Sequence, residues 1–377
     1  MPIVSYPVLR CIFEHIEANC RFSISTRCCE ISRVEKRIPL RVDQIFFQEY
    51  AVQMNDTEYK IASEDPKKEM WRNHRRTPKQ PLILRLYNCN STFSVKKKIP
   101  KSYGVEVATR KLAEFLLGGR NNIRVKLLVV THNGYKTMEY LYGISEMKVS
   151  ALTSIENGLS RCYPLIQSPL KVLYLYAFHP TDFESQIART AEKLSIMLYG
   201  YEKPDIWLET HRNLPNKEVV IGTLDYLLTD MKILDLIEHW RKTRKAVGSS
   251  FSVCKVNGAS IEKFSENVKE RFQGNYVALT NTNTFLNIKA VSIKIDSESK
   301  IVIYGIKTDR MAEMLLKIVM KVVDVGSSAE IQEETSPLKE TMIIHRRTLN
   351  NSALIVLPLL GLLLALFVGS MLTYYYH

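Results

Sequence analysis

Signatures of catalysis are missing from this chain. It contains no G-x-x-x-x-G-K-[S/T], no G-x-G-x-x-G, no H-E-x-x-H and no G-x-S-x-G. Nothing therefore announces the phosphate cradles, metal pairs or nucleophile turns that such patterns build. Gly118-Gly119-Arg120 follows a helical stretch rather than opening one, so a helix C-cap explains it better than a phosphate loop. No cysteine pair has C-x-x-C spacing, and the count is odd: Cys11, Cys20, Cys28, Cys29, Cys89, Cys162 and Cys254. A closed disulfide framework or a zinc module is thereby unsupported, and the thiols read as buried, reduced and cytosolic. The histidines are scattered. His74 and His239 have no partner at ligand spacing, and His15 with Cys11 at i,i+4 reads as a surface histidine beside a core thiol. The reading calls for no cofactor, no metal and no catalytic residue. The N-terminus also lacks an apolar core: Arg10, Glu14 and His15 interrupt it, so it is not a secretory signal.

What is present stands at the other end. From Ala353 to Leu372 the sequence ALIVLPLLGLLLALFVGSML is free of charge. As a helix it would span about 30 Å, the thickness of a bilayer's hydrocarbon core. His345, Arg346 and Arg347 precede it, and Tyr374, Tyr375 and Tyr376 follow. Positive residues favour the cytosolic side and tyrosines the interface. The expectation is a single-pass tail anchor over 353–376, with the bulk of the chain in the cytosol. The sequons at Asn55, Asn90 and Asn350 would then carry no glycan. Gly361, Ala365 and Gly369 recur every four residues, a stripe through which two such anchors could pair as a homodimer.

The rest suits one large or two ordinary globular domains, and the whole chain is 46% hydrophobic and 24% charged. Residues 5–38 read as a helical module, with one helix from Pro7 ending at Asn19 and Cys20, and another over Ser25–Arg37 closed by Pro39. Residues 40–325 read as an α/β domain. Leu40–Phe47 suits a strand, Asn55-Asp56 a hairpin turn, Pro81–Tyr87 a further strand, and Val105–Leu117 a helix capped by Gly118-Gly119. Short apolar strands recur at Val125–Val130, Lys171–Tyr176, Lys193–Leu198, Glu218–Gly222 and Ser250–Lys255. Their spacing allows a ragged leucine-rich-type solenoid or an open sheet. Asp230–Arg244 and Ser260–Phe272 are amphipathic helices, the second stopping at Gly274. Val291–Ile295 and Ile301–Ile306 form a hairpin, and Met314–Val323 is strand or helix. Residues 326–348, with Gly326, Pro337 and several glutamates, form a linker.

The net charge of +13 favours acidic partners. Lys67, Lys68, Arg72, Arg75, Arg76 and Lys79 share one polar loop. Lys96, Lys97 and Lys98 form a second group, and Arg241, Lys242, Arg244 and Lys245 end a helix. A solvated face explains these first, contact with anionic headgroups second and nucleic acid last.

The segment SYPVLRCIFEHIEANCRFSISTRCCEISRVEKRIPLRV resembles the opening of the F-box C class, a nematode-expanded family whose members carry an associated domain. SPLKVLYLYAF, RTAEKLSIML, NLPNKEVVIG, ILDLIEHWRKTRKAVGSSFS and VKERFQG are similar to it in the same order, over most of residues 5–325. The resemblance implies a substrate receptor whose N-terminal helices dock on the adaptor of a cullin–RING ubiquitin ligase. Mapped onto this chain, the docking residues are Pro7, Leu9, Ile12, Phe13 and Ile16, apolar anchors for a partner groove. The same residues could instead pack on their own domain. The leading reading is a non-catalytic, tail-anchored protein-interaction module. The alternatives are a membrane-associated enzyme of unknown reaction and a binder of nucleic acid or anionic surfaces.

Overall fold

The computed structural model describes residues 6–64, 81–90, 94–120, 122–131, 133–154, 159–167, 169–177, 179–199, 209–221, 230–255, 258–278, 289–310 and 313–326. The basic loop residues Lys67, Lys68, Arg72, Arg75, Arg76 and Lys79 lie outside them. So do the 353–376 run with Gly361, Ala365 and Gly369, and most of the 326–348 segment. Among the described residues no helix is long and apolar enough to cross a membrane. The chain falls into two compact units, 1–12 with 332–377, and 13–331. Of the first, only 6–12 are described, and they are helical.

The N-terminal module has three helices rather than the two expected: α1 (Tyr6–His15), α2 (Ala18–Ser25) and α3 (Cys29–Arg37). Asn19 and Cys20 begin a helix instead of ending one. The reason is Glu17, whose carboxylate accepts hydrogen bonds from the Asn19 and Cys20 backbone N–H groups at 2.7 and 3.2 Å. Acceptance of otherwise unpaired N–H groups is what starts a helix.

Among the described residues, one mixed sheet of fifteen strands spans Leu40 to Asp324. At its centre β1 (Leu40–Gln48), β6 (Ile123–Val130), β7 (Met147–Ser154), β8 (Val172–Ala177), β9 (Lys193–Tyr199), β10 (Glu218–Ile221) and β11 (Ser250–Lys255) are all parallel. They lie side by side in sequence order, each step in one direction. Antiparallel strands flank this run. β2 (Ala51–Met54), β3 (Thr57–Ser63), β4 (Leu82–Asn88) and β5 (Ser94–Lys98) extend it beyond β1. β15 (Glu313–Asp324), β14 (Ser299–Arg310), β13 (Ala290–Lys294) and β12 (Asn275–Val277) extend it beyond β11. The ambiguous segment near Met314 is therefore a strand.

Parallel crossovers are right-handed, so strands that step in one direction send their connections to one face. The packing agrees. Buried residues of α4 (Val105–Leu116), α5 (Gly134–Glu139), α6 (Leu159–Cys162), α7 (Gln186–Thr190), α8 (Asp230–Thr243) and α9 (Gly258–Phe272) join one continuous core. The two smaller apolar clusters, around Leu127 and Tyr174 and around Val302 and Tyr304, contain strand residues alone.

A repeated spacing sets that core. Val42/Ile45/Phe47, Val125/Leu128/Val130, Val149/Leu152/Ser154, Leu170/Leu173/Leu175, Ala191/Leu194/Ile196 and Asn216/Val219/Ile221 all have the form L-x-x-L-x-L, and all are buried. Their middle members stand opposite one another: Ile45, Leu128, Leu152, Leu173, Leu194, Val219, then Phe251 of β11. Asn216 occupies an apolar position of the pattern. It donates to the carbonyls of Ala188 and Ala191, both at 2.7 Å, stitching one turn to the previous one.

Several expected elements are refined. α9 starts at Gly258 rather than Ser260, and its left-handed exit is Gln273 (φ 53°) rather than Gly274. β5, β7 and β12 were not anticipated. Among the described cysteines Cys162 is buried, but Cys11, Cys28, Cys29 and Cys89 are exposed, contrary to the buried-thiol expectation. α1 and the start of α3 turn their thiols outward because their apolar stripes lie elsewhere on these helices.

Gly134 opens α5 directly beneath the end of β1. A Cβ there would lie 2.0 Å from the Phe47 carbonyl oxygen, a backbone atom that also accepts from Thr131 N and Oγ1 at 3.1 Å. Gly134→Ala is expected to destabilise the chain by about 3 kcal/mol through overpacking. A shift in the urea midpoint checks this, and a loss under about 1 kcal/mol would mean that the backbone yields there.

Candidate functional site

Three surfaces could carry function: the N-terminal helices, a polar cleft on α8 and the sheet face opposite the helices.

α1 brings its candidate anchors to different depths. Pro7 and Val8 are exposed, Leu9, Ile12 and Ile16 are half-buried, and Phe13 is 1% exposed. Phe13 is therefore buried, while its neighbours keep some apolar surface outward. α2 and α3 are fixed to the sheet domain by a buried ion cluster. Arg120 grips Glu35 with both terminal guanidinium nitrogens, Nη1 to Oε1 at 2.9 Å and Nη2 to Oε2 at 2.5 Å. Arg21 Nε donates to the same carboxylate at 3.1 Å. Arg21 also donates to the carbonyls of Glu35, Ile38 and Pro39, and Arg120 to that of Leu116. Residues Arg21, Glu35 and Arg120 are each no more than 2% exposed. Gly119 (φ 70°) makes the left-handed exit from α4 just before Arg120. The helix-cap reading of Gly118-Gly119-Arg120 thus holds, and Arg120 has a structural task. A second set of contacts joins α2 to the β2–β3 hairpin. Asn55 Nδ2 donates to Glu17 at 2.7 Å, and Tyr59 donates its hydroxyl proton to Asn19 at 2.9 Å. Burial raises the Glu17 pKa despite these bonds, and it pushes the Tyr59 hydroxyl far above its ordinary value.

The α8 cleft, about 320 Å³, is lined by Arg212, Asp235, Glu238, His239 and Lys242. Its carboxylates are committed to ion pairs. Arg271 reaches Asp235 at 3.2 Å and Glu238 at 3.1 Å, and Lys242 reaches Glu238 at 2.7 Å. The hydrogen bond from Lys242, and then that from Arg271, hold Glu238 below the usual carboxylate range. General acid–base work needs a carboxyl poised near the working pH, and Glu238 does not provide it. Two more cations of this helix end are also engaged. Lys245 donates to the Leu214 carbonyl at 2.9 Å, and Arg241 stacks 5.5 Å over Phe272. Among the described residues no group of three His, Cys, Asp or Glu side chains could hold a metal ion.

The topology matters more for small ligands. Open α/β sheets bind them where strand order reverses and helices diverge to both faces. The parallel run here never reverses, so that crevice does not form. What remains is the long sheet face opposite the helices. Sequence reasoning overlooked it, although the L-x-x-L-x-L spacing could have revealed it. Lys96, Lys97 and Lys98 lie on the edge strand β5, exposed along its length. Lysines on an edge discourage pairing with another chain.

These features define a mixed α/β protein built on a stepwise parallel sheet. A family model described as a domain of unknown function (DUF3557) matches residues 104–254. That match begins at Gly104, the N-cap of α4, and ends within β11. The chain thus contains an uncharacterised domain coextensive with the parallel strands β6–β11 and their crossovers, and the match does not reach residues 5–38. No curated protein and no solved structure matches the chain.

Proposed function

We propose that this chain is a non-catalytic, membrane-tethered protein-interaction scaffold of leucine-rich type. The observation that supports it is the stepwise run of seven parallel strands with the described crossover helices packed on one face. Solenoids of this kind present an extended sheet face to partners. Ion-paired carboxylates in the α8 cleft favour binding over chemistry there. The tether is the uncharged run at 353–372, held by the 326–348 linker. In the form that the family resemblance implies, the scaffold is a substrate receptor of a cullin–RING ligase. Leu9, Ile12 and Ile16 then contact the adaptor.

Affinity purification of the full chain in detergent tests both levels. A defined set of stoichiometric partners is expected, and retention of none would sink the scaffold reading. Leu9→Asp with Ile12→Asp should lower adaptor recovery about tenfold, since two charges would be buried in an apolar groove. Adaptor recovery that is absent, or indifferent to these changes, would remove the ligase form and leave the scaffold.

A further inference from the structure

The face opposite the helices carries a row of like charges set by strand register. Arg41 of β1 stands opposite Arg124 of β6, and Arg124 opposite Lys148 of β7. In all three strands the residues on either side are buried in the helix-side core: Leu40 and Val42, Ile123 and Val125, Met147 and Val149. Alternation along a strand therefore turns the three cations to the other face, where all are exposed. Adjacent strands lie about 4.8 Å apart, so three positive charges occupy about 10 Å. Like charges directly opposite one another destabilise a sheet, and nothing in the local pairing offsets this. Among the described residues no carboxylate pairs with Arg41 or Lys148, and Arg124 Nε donates to Asn122 at 3.3 Å. Lys126 and Lys171 extend the patch. Asp43 is its one nearby counter-charge on β1, bound to Lys126 at 2.7 Å. Glu146, just before β7, is engaged by Gln167.

We infer that this row is a docking site for an acidic polypeptide segment of a partner protein, an inference that rests on the scaffold reading. Two guanidiniums and an ammonium in line suit discrete carboxylates, which arginine can grip bidentately. Continuous polyanions fit less well. Along the same face the charge alternates, with Lys193 on Glu218 at 2.5 Å and Lys217 near Glu192 at 3.6 Å. The positive field is thus confined to the β1–β6–β7 end. Of the aromatics on this face, Tyr174 is 5% exposed and cannot offer a stacking face, and Phe46 of β1 is half-buried against the Leu127 cluster.

The test is fluorescence anisotropy of a short labelled oligo-glutamate peptide with the full chain in detergent micelles. Arg41→Gln with Arg124→Gln and Lys148→Gln should weaken binding about tenfold, from the sum of three modest exposed charge contacts. Lys96→Gln with Lys97→Gln and Lys98→Gln should leave it unchanged. Equal weakening by both sets would reduce the effect to net charge and overturn the proposal, as would no weakening by the first. Competition by phosphatidylserine vesicles or oligo-thymidine stronger than by unlabelled peptide, and lost in the same variant, would overturn the partner class. The triple variant should unfold at an unchanged or higher urea concentration because repulsion is relieved. Should it not fold, Arg124→Gln alone carries the test, with a loss of about threefold expected and none overturning the proposal. If the partners of the native chain are retained undiminished by the triple variant, the scaffold stands and this site falls.

Discussion

Glu35→Ala should remove about 3–5 kcal/mol of stability, the range expected when one partner of a buried ion pair is deleted. Two guanidiniums, those of Arg21 and Arg120, would then share a site no more than 2% exposed with no counter-charge. A whole domain is stable by only about 5–15 kcal/mol, so the loss is large. Glu35→Gln keeps most of the volume but not the charge, and should fall only slightly short of the alanine effect. Arg120→Met should cost less, because Arg21 still pairs with the carboxylate at 3.1 Å. Urea unfolding at constant m-value measures all three. A loss below about 1 kcal/mol for Glu35→Ala would mean that water reaches the cluster and that the clamp does not hold α2 and α3 to the sheet.

Acidification should destabilise the chain through His211. Its ring lies in a short helical turn between Phe183 and Phe251, with centroids 6.1 and 5.8 Å away. Burial among these rings pushes its pKa down to about 3. The unfolded chain takes up the proton near the ordinary value of about 6.5. A depressed folded pKa means that this contribution is whole above about 6.5 and is lost as pH falls towards about 3. Each pH unit in that window corresponds to about 1.4 kcal/mol, so moving from pH 7 to 4.5 should remove about 3 kcal/mol. His211→Leu fills a similar volume and cannot take up a proton. Comparing wild type and variant at both pH values cancels the other titrating groups. Parallel losses in the two proteins would show that His211 is solvated, not buried neutral.

Much of the local structure was legible in the sequence. The helices over α4, α8 and α9 follow from apolar stripes at 3.6-residue spacing, and the β2–β3 hairpin from Asn55-Asp56, where Asn55 has φ 49°. Strands rich in lysine, serine and threonine were harder. β5 reads SVKKK and β7 reads MKVSALTS, and neither has the continuous apolar run that marked β6 or β9. Edge position explains the first. In the second, helix-side residues must follow the L-x-x-L-x-L spacing, which breaks simple alternation at Ser150 and Ala151. The cysteines misled for a related reason, since apolar character suggests burial but says nothing of which side of a short helix faces the core. The buried cluster was out of reach, because Arg21, Glu35 and Arg120 each look like an ordinary surface charge in their own segment.

The chain's own order of residues marked most of the helices and strands, the repeat spacing that feeds one core, and the absence of familiar catalytic motifs. These are properties of a few neighbouring residues, governed by backbone geometry and side-chain period. The tertiary structure alone decided that the strands step in one direction, that three distant charges are buried together, and that Arg41, Arg124 and Lys148 align. Strand register is a hydrogen-bonding relation between segments that can be more than eighty residues apart. A local pattern fixes which face a side chain takes, and only pairing fixes which side chain stands beside it.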